Sequence, residues 1–173
     1  MAQSLRNAAR DYLITGLRDA HAMESQAVTL TTTQADRLKN YPELEQRIRV
    51  HAHETEGQRD RLAQCLEELG SSPSSVKDAA MQLAANLQAA FHAMAEDEVI
   101  KNSLAAYAFE HFEIASYKAL IATAKIAGET GIASICEQNL AEEEAMAAWL
   151  TDHLPAALQQ YLDRSAADLE AKR

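Results

Sequence analysis

Long stretches of helical-period hydrophobicity, broken at only a few points, constrain this chain more than any other feature. Apolar residues recur at Leu13, Leu17, Ala20, Val28, Ala35 and Leu38, then at Leu44, Ile48, Leu62, Cys65, Leu66 and Leu69. They return at Ile100, Leu104, Tyr107, Ile114, Tyr117 and Ile121, and at Ile132, Ile135, Leu140, Ala147 and Leu150. Steps near three and four put each set on one helix face. The breaks are Asn40-Tyr41-Pro42, the Gly-Ser-Pro cluster at 70–75, and the turn at 128–131. Pro42 suits the first turn of a helix, and Gly70 suits the residue after its end.

The spacing predicts helices over 4–39, 42–69, 97–127 and 132–150. A shorter helix over 76–95 carries Leu83, Leu87, Phe91 and Met94 on one face, and a final helix is expected from His153-Leu154-Pro155. The turns at 40–42 and 128–131 are short, so each joins antiparallel neighbours. The two hairpins are then linked by one long crossover that holds its own short helix. That connectivity is ferritin-like. The expected fold is all-α: a single domain over 1–173, a ferritin-like four-helix bundle with one long helical crossover and a C-terminal extra helix.

Charge narrows the function. The formal net charge is -10, which disfavours a phosphate-binding surface and so argues against nucleic acid as a partner. No apolar stretch is long enough and free enough of polar residues to cross a bilayer. Cys65 and Cys136 do not form a CxxC pair, and both read as free thiols in a reducing compartment, which places the protein in the cytoplasm.

The informative residues are acids that occupy core positions. Glu24 lies between Ala20 and Val28 at steps of four, and Glu143 lies between Leu140 and Ala147 at steps of three and four. His51, Glu54 and Gln58 fill the centre of the second stripe, between Ile48 and Leu62. Glu110 and Glu113 lie on adjacent inward stripes of the third long helix. Counted from the turns, Glu24 and Glu54 differ in height by about 6 Å at a rise of 1.5 Å per residue. Glu113 and Glu143 match similarly, so the acids converge in one central layer. Several carboxylates in a dry core repel one another and each costs several kcal/mol to bury (about 3–5) unless it is protonated, paired or bound to a cation. Arg47 and Arg61 offer some pairing. Oxygen donors with one imidazole suit iron or manganese better than tetrahedral structural zinc. The competing reading is a protonated or arginine-paired layer that fixes helix register.

The segments LRDAHAMESQA (17–27), NYPELEQRIRVHAHETEGQ (40–58), YAFEHFEIASY (107–117) and AEEEAMAAWL (141–150) resemble the YciE/YciF family of bacterial ferritin-like stress proteins, with the likeness strongest to the YciE branch. The resemblance implies a helical bundle related to di-iron carboxylate proteins, a homodimer, and a part in the stress response. It also implies metal positions at Glu24, Glu54, Glu110, Glu113 and Glu143, with His51 as the imidazole ligand. One departure stands out. Related di-iron proteins place Glu-x-x-His on two helices, whereas here Glu54 is followed by Gly57 and Glu143 by Met146.

Two functions follow as expectations. The first is a protein with two metal ions, iron or else manganese, that handles iron, oxygen or peroxide. Glu24 and Glu143 would be terminal ligands, Glu54 and Glu113 would bridge or clamp the pair, and Glu110 and His51 would complete the set. Oxidase, ferroxidase-like and peroxidase-like chemistry are all open at this stage. The second is a non-enzymatic dimeric stress protein whose acid layer is structural and holds no metal.

Overall fold

A computed structural model describes residues 1–75, 77, 81 and 95–173. Four long helices account for most of them: α1 (Ala2–Arg37), α2 (Pro42–Glu68), α3 (Glu98–Ala127) and α4 (Thr130–Ala166). The shorter helix expected over 76–95 lies almost wholly outside the described residues.

The helix ends follow from local chemistry. Pro42 opens α2, where its missing N–H costs nothing, and Glu43 and Glu45 face the positive end of the helix dipole. At the far end of α2 the chain turns left-handed at Gly70 (φ 72°). The Ser71 amide then donates to the Leu66 carbonyl and the Gly70 amide to that of Glu67. The same pair of bonds closes α3, where Gly128 has φ 87° and the Glu129 amide reaches the Ala124 carbonyl. These Schellman turns satisfy carbonyls that a helix end otherwise strands.

Contacts fix the arrangement. α1 and α2 pack as one hairpin and α3 and α4 as the other, with α1 against α3 and α2 against α4. Arg37 pairs with Glu98 at one end of the α1–α3 contact, and Tyr117 meets Glu24 near its middle, so these helices are antiparallel. Arg61 meets Asn139 and His51 approaches Glu143, so α2 and α4 are antiparallel too. The chain therefore runs up, down, down, up, as the ferritin-like reading requires.

Two apolar clusters fill the bundle. One contains Leu13, Leu17, Leu62, Leu66, Tyr117, Leu120, Ile132 and Cys136. The other contains Ala35, Leu38, Leu44, Ile48, Val99, Met146 and Leu150. Each Leu or Ile buried in them contributes about 1.5–3 kcal/mol. Between the clusters lies the layer that holds Glu24, His51, Glu110, Glu113 and Glu143, all buried.

Three features differ from the sequence reading. Leu104 is exposed. The buried face of α3 runs through Val99, Ser103, Glu110, Ile114 and Tyr117, and at about 100° per residue Leu104 points well away from it. The separate helix expected from 153–155 does not exist, because α4 continues through Pro155 to Ala166. Thr151 and Pro155 are both exposed, so the carbonyl that Pro155 leaves without an N–H partner faces water. The C-terminal segment folds back on the bundle. Tyr41 Oη donates to the Ala171 carbonyl, and the Val99 amide at the start of α3 donates to the Lys172 carbonyl at 3.0 Å.

Glu98 is almost fully buried, and the Arg37 guanidinium grips both its oxygens. Removing one partner leaves a buried charge. We expect Arg37→Met to destabilise the protein by about 3 kcal/mol in urea unfolding, and Arg37→Met with Glu98→Leu to recover most of that loss.

Candidate metal centre

Each long helix sends at least one polar side chain into the central layer. α2 contributes His51, α3 contributes Glu110 and Glu113, and α4 contributes Glu143. One donor atom from each of these four lies within 4.8 Å of the others. α1 contributes Glu24, fully buried beside them.

His51 organises the group. Its Nε2 lies 3.3 Å from Glu110 and 3.7 Å from Glu143, and its Nδ1 lies 3.1 Å from Glu54. Burial works against a charged imidazole, but Glu110 and Glu54 outweigh it, and the His51 pKa is pushed up to about 10. The acids move the same way for a different reason. Burial raises Glu24 to about 8, although the Tyr117 hydroxyl and His51 oppose the shift. Burial and the neighbouring carboxylates raise Glu143 to about 9 and hold Glu113 well above the usual carboxylate range. Without a cation, the layer sheds charge by holding protons.

Hydrogen bonding leaves part of the layer unsatisfied. Among the described residues, Glu24 Oε2, Glu110 Oε2, Glu113 Oε1 and both oxygens of Glu143 are buried with no hydrogen-bond partner. Buried polar atoms are rarely left so, and such a concentration calls for a ligand. The donor chemistry fits a hard divalent cation: several carboxylate oxygens and one imidazole nitrogen, converging from three helices.

Sequence reasoning put six residues in this site, and the structure brings four of them into the close group. Glu24 stands just beside it. Its Oε1 accepts a bond from Tyr117 Oη at 2.5 Å, which leaves Oε2 unpartnered. Glu54 is turned toward the rim, with its side chain 32% exposed, where it meets Arg47 at 3.1 Å and the outer nitrogen of His51. Those partners lower its pKa, His51 first. Thr55 takes the interior slot beside it.

Supporting residues form a chain outward. Tyr117 Oη accepts from Asn139 Nδ2 at 3.0 Å, and Asn139 Oδ1 accepts from Arg61 Nε at 2.6 Å. Arg61 then pairs with Glu142, which also accepts from Gln58 Nε2 at 3.0 Å. Sequence reasoning missed Asn139, although it lies four residues before Glu143 and so on the same face. Its signal was a small amide among Ile132, Cys136 and Ala147.

These shifts fix the pH response of the metal-free protein. Glu24, Glu113, Glu143 and His51 all have folded pKa values above their unfolded ones. Their contribution to stability is therefore present at low pH and is lost as pH rises through the folded values. Glu54 acts oppositely, losing its contribution as pH falls toward acid. With EDTA present, calorimetry should give a Tm that falls steadily from about pH 5 to pH 9. A flat or rising Tm would contradict these assignments.

Residues 8–163 match the family described as domain of unknown function DUF892. The chain is 32% identical over 146 residues to protein YciF of Escherichia coli, covering 82% of this chain and 87% of that one. The crystal structure of the E. coli stress protein YciF superposes with a TM-score of 0.74 at 29% identity, over 84% of this chain and 94% of that one. A protein from Xanthomonas campestris pv. campestris, XCC3681, superposes with a TM-score of 0.78 at 40% identity, over 91% and 99%. No helix of the described residues is long and apolar enough to cross a membrane. Fold and sequence likeness agree: the chain belongs to the DUF892 family and is similar to YciF.

Proposed function

We propose that this protein binds two metal ions, iron in the cell with manganese as the metal the same donors accept, and uses them on oxygen or peroxide during bacterial stress. The observation that carries the reading is the concentration of buried, unpartnered carboxylate oxygens around His51. His51 Nε2, Glu110, Glu113 and Glu143 would hold the first ion. Glu24, through its unpartnered Oε2, would join Glu113 and Glu143 in holding the second. Iron held there supplies the electrons that reduce oxygen or peroxide.

The chain's own residues set the conditions. Glu54 accepts from His51 Nδ1 and so turns Nε2 toward the carboxylates, the usual support for a metal-bound imidazole. It stands behind the imidazole in this reading rather than bridging. Tyr117 fixes one oxygen of Glu24 and leaves the other for the ion. Glu24, Glu113 and Glu143 hold protons when the site is empty and give them up as a cation arrives. The apolar clusters on either side close the layer off above and below.

The stress role, a cytoplasmic location and a homodimeric state complete the proposal. The stress role rests on the likeness to YciF, which is described as a stress protein. The location rests on the free thiols of Cys65 and Cys136, and the homodimer on the family resemblance.

Anaerobic Fe(II) loading followed by desalting tests the core of the reading. We expect about two irons per chain, and close to none in Glu113→Ala with Glu143→Ala. The same double variant removes mutually repelling buried acids, so its metal-free form should unfold at a temperature no lower than that of the native protein. Iron-free native protein would overturn the proposal. A collapsed variant would show instead that the acids are structural.

A further inference from the structure

A crevice between α1 and α3 reaches the centre from the side. Its walls include Ala27, Leu30, Ala105, Ala106 and Phe109, and its inner end is formed by His51 and Glu110. At its other end lies the Arg37–Glu98 pair, whose charges cancel. Gln34 also lines it, and its Nε2 is buried with no hydrogen-bond partner.

From this geometry we infer that the crevice is the path by which a small uncharged oxygen compound, hydrogen peroxide or dioxygen, reaches the His51–Glu110 edge of the site. The inference rests on the reading of that site as the reacting centre. Size and polarity carry it. The water-accessible volume is about 60 Å³, room for a few waters or one molecule of peroxide size. A divalent cation with its water shell is too large for that volume, and the few neutral oxygens of Thr31, Thr33, Gln34 and Asn102 replace the shell poorly. An anion meets Glu98 and Glu110 as well as Arg37. The charged rim at Glu54 and Arg47, on α2, lies apart from these walls. A neutral molecule crosses at little cost, and the unpartnered Gln34 amide can donate one hydrogen bond to peroxide once its side chain turns toward the crevice.

The walls can be tested without metal. Dissolved dioxygen is paramagnetic, so it speeds relaxation of the His51 ring protons wherever it reaches them. We expect strong enhancement in the native metal-free protein and at most half of it in Ala106→Phe. Ala105→Leu, a smaller change on the same wall, should lower it too if the larger one fails to fold. A bulky nitroxide should leave His51 unaffected in all forms. Undiminished enhancement in a folded Ala106→Phe or Ala105→Leu protein would overturn the inference, whether or not iron binds. In the Fe(II)-loaded protein, Gln34→Leu should slow the reaction with peroxide about fivefold, the worth of one neutral hydrogen bond. The dioxygen rate should be unchanged if peroxide is the species the crevice serves. Equal slowing of both means that the path serves both compounds, and no effect on either removes Gln34 from the path and with it the peroxide assignment.

Discussion

Mutual repulsion among carboxylates buried at one height in the bundle is the constraint on which the rest of this structure depends. Glu110, Glu113 and Glu143 crowd one imidazole, and Glu24 stands beside them without exposure to water. A stable fold must neutralise such a layer. His51 provides one positive charge, and raised pKa values provide neutral acids. Both devices are incomplete, since several oxygens still lack a hydrogen bond. A cation resolves repulsion and unsatisfied bonding together, which neither protonation nor a single imidazole does.

The architecture serves that layer. Apolar clusters above and below supply the burial that stabilises the bundle. They also lower the dielectric around the acids and so sharpen their dependence on a partner. The outward chain of Tyr117, Asn139 and Arg61 holds Glu24 in one orientation, and Glu54 does the same for His51. Positioning is thus built into both sides of the site before any ligand arrives.

Much of this was legible in the sequence because helix period is strict. Glu24, Glu110, Glu113 and Glu143 stand where apolar residues belong, and all four are buried. Glu54 is the instructive case. It lies three residues from His51 and four from Gln58, which suggests a shared face. At about 100° per residue, however, it sits on the shoulder of the face that Ile48, Thr55 and Leu62 define. Arg47 is there to receive it. Leu104 misled for the same reason, because α3 is apolar around much of its circumference. The Arg37–Glu98 pair and the returning C-terminal segment join residues 61 and 130 positions apart, and no local period encodes such contacts.

Proton release on metal binding tests the central claim most directly. Mn(II) can be titrated calorimetrically into the metal-free protein at pH 7, in buffers of different ionisation enthalpy. The account predicts binding with release of more than about one proton per chain, because the raised acids and His51 must shed protons to become ligands. Binding heat that is independent of the buffer, or no binding at all, would mean that the carboxylates are not poised for a cation, and the central layer would then be a structural feature of the fold.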